Sequence, residues 1–143
     1  MSYLPDVNVW LAAMWGRHIH HAEVRRWIDQ VEEPIALCRV TQMAVLRLIS
    51  NPRALGKDAV SRAEAWRAVD DIEADSRVVW SHEPPGTGAV WRAMSARRDG
   101  SHKLWTDDYL SAFAQSGKFT LVTLDKALGD RHPSVETLVL SSS

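Results

Sequence analysis

The sequence predicts an α/β fold: a mainly parallel five-stranded sheet with helices on both faces. Three observations predict it. Short apolar, β-branched runs such as Ile35-Ala36-Leu37-Cys38 and Phe119-Thr120-Leu121-Val122-Thr123-Leu124 read as buried strands. Between such runs lie longer stretches with apolar residues at helical spacing, and that alternation is the signature of parallel strands joined by crossover helices. The 143 residues contain no internal repeat, low-complexity segment or linker, so one domain spanning 1–143 around one core is expected.

The elements follow in order. Residues 2–6 form the first strand, and a short helix follows over 8–15. A second helix over 20–31 places Val24, Trp27, Ile28 and Val31 on one face, and Pro34 closes it off. Residues 35–38 are the second strand. Thr41 is expected to cap a helix running to Ser50, which Asn51-Pro52 terminates. Asp58 is expected to cap a long helix to about residue 75, where Trp66 sits on the apolar face. Residues 77–80 are the third strand, and Glu83-Pro84-Pro85-Gly86 is a turn. Helices follow over 87–97, with Trp91 on the apolar face, and over 106–115. Residues 119–123 and 137–140 complete the sheet. The Ser141-Ser142-Ser143 tail is expected to fray.

Composition removes several classes. Apolar content of 45% and charged content of 24% are ordinary for a globular domain. No apolar run approaches the roughly 18–20 residues of a membrane span. Met1-Ser2-Tyr3-Leu4-Pro5-Asp6 lacks the basic and apolar regions of a signal peptide, so a cytoplasmic protein is expected. The single cysteine, Cys38, rules out an intramolecular disulfide and a cysteine-rich zinc site, and reads as a buried strand residue. His18, His20 and His21 invite a metal reading, but with no nearby cysteine and only a short spacing, His20 and His21 are better read as the start of the second helix. A net charge of −1 shows no global basic field, which leaves nucleic-acid contact to local patches.

Three acids stand where chemistry concentrates. Asp6 closes the first strand, Asp125 follows the fourth, and Asp107 opens a late apolar helix. In an open parallel sheet the loops at the carboxyl ends of the strands meet in one crevice, so these three can converge. Each alone is also a good helix cap or helix start. Together they repel: two charges about 4 Å apart at an effective dielectric of about 20 cost about 4 kcal/mol. A hard divalent cation with oxygen ligands is the usual compensation. Asp108, turned to another side of its helix, is not assigned to the site. Arg97, Arg98 and Lys103, close in sequence to Asp107, are candidates for phosphate contact, with a solvated loop as the alternative.

The ordered set Asp6-Val7-Asn8-Val9-Trp10, Thr106-Asp107 and Thr123-Leu124-Asp125 resembles the PIN-domain ribonucleases, and within them the VapC-type toxins of toxin–antitoxin pairs. Thr41-Gln42 leading into Leu46-Arg47-Leu48-Ile49-Ser50-Asn51-Pro52, the Glu83-Pro84-Pro85-Gly86 turn, and Lys103-Leu104-Trp105-Thr106-Asp107-Asp108-Tyr109-Leu110 extend the resemblance over nearly the whole chain. It implies a three-layer α/β/α PIN domain with strand order 3-2-1-4-5. It implies an endoribonuclease toxin dependent on Mg²⁺, with Mn²⁺ as a substitute, that cuts structured RNA such as tRNA. Asp6 and Asp107 would hold the metal, Asp125 would do so directly or through water, and Asn8, Thr106 and Thr123 would orient them. A cognate antitoxin and a homodimer are implied as well, with any DNA contact running through the antitoxin.

One departure bears on activity. Such toxins usually place a glutamate near the start of the third helix. Here Thr41-Gln42-Met43-Ala44-Val45 holds no acid, and Gln42 is taken as the substitute. A glutamine keeps a carbonyl acceptor but no charge. This supports an alternative: a catalytically weakened PIN domain that binds RNA or an antitoxin. A phosphoacceptor receiver domain fits poorly, because Asp6 has no acidic neighbour and no lysine follows the fifth strand.

Overall fold

The computed structural model describes residues 1–140; the Ser141-Ser142-Ser143 tail, expected to fray, lies outside the described residues. Five short parallel strands form one sheet: β1 (Tyr3–Pro5), β2 (Ile35–Leu37), β3 (Val78–Trp80), β4 (Thr120–Thr123) and β5 (Thr137–Val139). Their order is β3-β2-β1-β4-β5, as expected. β1 pairs with β4 in the register Tyr3↔Thr120, Leu4↔Leu121, Pro5↔Val122. The chain therefore winds outward one way from β1 through β2 to β3, and the other way through β4 to β5. The β1/β4 junction is the switch point, where open parallel sheets leave a crevice.

Among the described residues eight α-helices surround the sheet: α1 (Val7–Met14), α2 (His21–Gln30), α3 (Arg39–Ile49), α4 (Pro52–Leu55), α5 (Arg62–Glu73), α6 (Thr87–Ser95), α7 (Trp105–Gly117) and α8 (Lys126–Arg131). Strand side chains alternate between two cores. Ile35, Leu37 and Val122 pack with Val9, Trp10, Val24, Ile28, Val45 and Val69 on one face. Leu4, Ala36, Cys38 and Leu121 pack with Leu110, Phe113, Leu128 and Val135 on the other. Layers of helix on both faces leave the strand ends as the open edge. Among the described residues no helix is long and apolar enough to cross a membrane.

Several helix starts differ from expectation. Thr41 does not cap α3. The helix begins straight off β2 with Cys38 as its N-cap, and the buried Thr41 hydroxyl lies 3.2 Å from Cys38 Sγ. α3 ends at Ile49 with Ser50 as its C-cap, and Asn51 opens α4, accepting from the Arg53 amide at 2.9 Å with Pro52 at the first position. Asp58 does not cap α5. Ser61 does, in a capping box with Glu64, while Asp58 accepts from Trp15 Nε1 at 2.9 Å. Trp66, expected on the apolar face of α5, is 48% exposed. Trp27 and Trp91 are half-buried. Gly86 closes the proline turn at φ +86°, a left-handed conformation that favours glycine, and leads directly into α6.

Candidate active site

Asp6 follows β1 with no intervening loop. Its amide donates to the Val122 carbonyl of β4 at 2.9 Å, which fixes the residue at the switch point. Its side chain caps α1: Oδ1 accepts from the Val9 amide at 3.0 Å, and Oδ2 accepts from the Thr123 hydroxyl at 2.6 Å. Capping and site placement thus coincide. Asp6 is only 5% exposed. Burial pushes its carboxyl above the usual range, against the hydrogen bonds from Thr123, Val9 and Asn8 and with a further push from the charge on Asp125.

Asp125 follows β4 and caps α8, accepting from the Ala127 amide at 2.9 Å. Its own amide donates to the Thr123 hydroxyl at 3.0 Å. Thr123 therefore ties two of the acids to one strand end. Asp107 enters from the first turn of α7. Its carboxyl is raised to about 6, chiefly by burial and then by the charges on Asp6, Asp125 and Asp108, with Arg131 opposing. All three acids line one pocket of about 210 Å³ together with Val7, Asn8, Leu48 and Leu128.

The remaining candidates divide. Asn8 stands exposed on the rim of that pocket, and Arg97 lines an adjoining cavity that also holds Asp107 and Asp125. Thr106 is exposed at the start of α7, and Arg98 and Lys103 are exposed in the loop before it; none of the three lines the acidic pocket. Gln42 also stands apart. It is buried, and its carboxamide oxygen accepts from Arg39 Nη1 at 2.5 Å. The third helix reaches the pocket through Leu48 instead.

Sequence reasoning missed the support beneath Asp107. Its neighbour Asp108 is buried, accepting from Arg131 Nε and Nη2 at 2.7 and 3.1 Å, with His132 Nε2 at 2.7 Å. These contacts tie the first turn of α7 to the end of α8. A cap at Asp125 followed by Lys126-Ala127-Leu128 signals the helix, but nothing local signals its partner.

Among the described residues no group of three or more His, Cys, Asp or Glu side chains forms a ready metal cage. The acids face one pocket without closing on one point. Asp6, Asp107 and Asp125 are the carboxylates of this pocket that could hold a divalent cation.

Residues 3–131 match the PIN domain family. The chain is 42% identical over 130 residues to ribonuclease VapC41 of Mycobacterium tuberculosis, covering 87% of this chain and 89% of the relative. In fold it resembles VapBC2 from Rickettsia felis, solved bound to a DNA fragment from their promoter. The TM-score is 0.71 at 13% identity, over 99% of this chain and 100% of the other. It also resembles Mycobacterium tuberculosis VapC20, a sarcin-ricin loop cleaving toxin, with a TM-score of 0.68 at 13% identity over 90% and 93% of the two chains. The strand order, the match along nearly the whole chain and the identity to a VapC ribonuclease agree: this chain belongs to the PIN-domain family, in its VapC ribonuclease branch.

Proposed function

We propose that this chain is a divalent-cation-dependent endoribonuclease toxin in which Asp6, Asp107 and Asp125 carry RNA cleavage. One observation supports this above the rest. Three carboxylates from three separate elements line one small pocket at the switch point of the sheet. Such a cluster is electrostatically unfavourable without a cation: burial raises the Asp107 carboxyl first, and the charges on Asp6 and Asp125 raise it further. A cation of the Mg²⁺ or Mn²⁺ type bound there would supply charge neutralisation for a phosphodiester and acidify a water.

The chain's own residues set the conditions for that chemistry. Thr123 fixes the rotamer of Asp6 by donating to it, so the carboxylate is held in place before any ligand arrives. The Val9 amide holds the other oxygen. Each carboxylate oxygen still has a lone pair for a cation or a bound water. Asp107 and Asp125 complete the acidic lining, and Asn8 offers a polar contact at the rim. Structured RNA such as tRNA is the substrate class proposed.

A cognate antitoxin would neutralise the site by delivering an arginine or lysine to the acids, since an arginine fork pairs with carboxylates bidentately. A homodimer is the assembly proposed. A second reading, a weakened PIN domain that binds RNA or antitoxin without cutting, is favoured by the absence of an acid from α3 in this pocket. Incubating the purified chain with RNA in Mn²⁺ and in EDTA separates the two. Cleavage in Mn²⁺ alone is the expected result; binding without cleavage would select the second reading. Co-expression with an adjacent small reading frame, followed by pull-down and sizing, tests antitoxin and dimer together.

A further inference from the structure

Beside the three acids the site carries two arginines and an exposed tryptophan, set among further acids, Asp130 in one cavity and Asp99 and Asp108 in the next. A cavity of about 510 Å³ adjoins the acidic pocket and shares Asp107, Asp125 and Leu128 with it; Arg97 and Arg131 line it as well. That volume lies within the range that holds a small-molecule-sized group such as a nucleotide. Arg131 is fixed within it. Nε and Nη2 donate to Asp108, which is 2% exposed, and this bond sets the plane of the guanidinium. Among the described residues Nη1 meets Asp99 Oδ2, at 3.5 Å. A guanidinium has five N–H groups. The Asp108 pair uses two, so Arg131 keeps donors for a phosphate oxygen at no cost to its anchor. Arg97 Nη2 donates to the Arg131 carbonyl at 3.3 Å, which sets a second cation beside the first.

Past the arginines a smaller cavity of about 180 Å³ shares Arg97, Leu104 and Arg131 and extends to Trp105. Trp105 is 56% exposed. It is also braced: Trp91 Nε1 donates to its carbonyl at 3.1 Å, and the two rings meet edge-on with centroids 6.3 Å apart. An exposed indole held in place two residues from Asp107 has the properties of a base-stacking platform.

We propose that Arg131 and Arg97 hold the phosphate next to the scissile one, and that Trp105 stacks the adjoining base. This rests on the nuclease reading above and assigns these three side chains to the nucleotide next to the cleavage point. A phosphodiester fits between the acids that recruit cations and the two arginines that contact it directly, although Asp130 shares their cavity. A base reaches a tryptophan face only when it is out of a helical stack. A double-stranded substrate offers no base to Trp105.

The test uses full-length protein silenced by Asp107→Asn, with Mn²⁺ present, and two probes: a short unstructured oligouridylate and a duplex of the same length. Trp105→Ala is expected to weaken single-strand binding roughly tenfold and to leave duplex binding unchanged. Arg97→Gln is expected to reduce the slope of log affinity against log salt by about one. Arg131→Lys keeps a charge for Asp108 but loses the fork that holds it, so it is expected to weaken single-strand binding roughly tenfold and also to lower the melting temperature. Single-strand affinity unchanged in Trp105→Ala, or lowered equally on both probes, overturns the stacking assignment. Unchanged affinity and salt slope in Arg97→Gln overturn the phosphate assignment, even if Arg131→Lys fails to fold. The parent chain, with Asp107 intact, is tested for cleavage in parallel. If it cuts RNA while the variants bind as their parent does, this inference alone fails; if it neither binds nor cuts RNA, the nuclease reading fails with it.

Discussion

Asp107 and Asp108 are neighbours in the same turn of α7, and their surroundings are opposite. Asp107 faces two other acids; burial and their charges raise its carboxyl to about 6. Asp108 is the more deeply buried of the two. Burial pulls its carboxyl upward as well, but hydrogen bonds from Arg131 and His132 outweigh that and hold it below the usual range. Burial alone therefore does not separate an acid engaged within the protein from one left open to a ligand. The partners do. Consecutive residues of a helix point about 100° apart, which is enough to give one carboxylate two built-in donors and leave the other among like charges. The charge without a protein partner is the one available to a ligand.

The contrast can be broken at either residue. Asp108→Ala removes the anchor of Arg131 and strands a cation at the α7–α8 contact. Breaking a buried pair from one side costs about 3–5 kcal/mol, and urea unfolding should show a loss of that order. An Asp108→Ala chain as stable as wild type would mean the pair is decorative. Asp107→Asn should behave in the opposite way. It relieves repulsion, so cation-free stability should hold or rise slightly. Cleavage should fall by about a hundredfold or more, the scale seen when a preorganised electrostatic contact is lost. Asp6→Asn should lower cleavage alike, but its single carboxamide oxygen can keep only one of the contacts from the Val9 amide and the Thr123 hydroxyl, so its stability should fall slightly. Full RNA cleavage by either variant, measured on folded protein, would remove that acid from the site.

pH sharpens the same comparison. Asp107 has a folded pKa of about 6 against an ordinary 3.8, so between those values the folded chain binds more protons than the unfolded one. Its contribution to stability is full below 3.8 and is lost as pH rises through about 6. Asp108 is shifted the other way, and its contribution is present above the unfolded value and lost as pH falls through the folded one. Melting curves in EDTA should thus lose stability between pH 3.8 and about 6 in wild type relative to Asp107→Asn. Millimolar Mn²⁺ at neutral pH should raise the wild-type melting temperature by mass action and leave Asp107→Asn nearly unmoved. Coincident wild-type curves with and without Mn²⁺ would speak against a carboxylate cation site.

What the sequence revealed and what it hid follow the same division. The sheet was legible because its strands are short apolar runs separated by helical periodicity. The three acids were legible because each sits directly after such a run or at a helix start. Hidden features depend on partners far along the chain. Asp58 has the right residue type for a cap, but the Trp15 indole claims it from across the fold, and the local Ser61–Glu64 box takes the helix start. Asp108 looks like one more acid at a helix start until α8 brings Arg131 and His132 to it. Trp66 lies on α5 among apolar neighbours in sequence, yet the helix turns it outward. Strand order was read through the family resemblance, since no pattern within a strand states which neighbour it pairs with.

The smallest expected effect concerns α3, the helix that brings no acid to the pocket. Gln42 was the natural substitute by sequence, but its carboxamide is engaged by Arg39 and it does not line the acidic pocket. Leu48 does. Residues four apart share a helix face, so Ala44, half-buried one turn before Leu48, lies on the side of α3 that meets the site. Ala44→Glu should therefore tighten Mn²⁺ binding severalfold, since an added carboxylate within about 4–6 Å favours a cation. Gln42→Glu should leave it unchanged, because that position spends its oxygen on Arg39. Calorimetric titration of Mn²⁺ into both variants decides between them. Tighter binding in Gln42→Glu and none in Ala44→Glu would mean that the helix presents its other face to the acids, and that Leu48 is only a neighbour of the pocket.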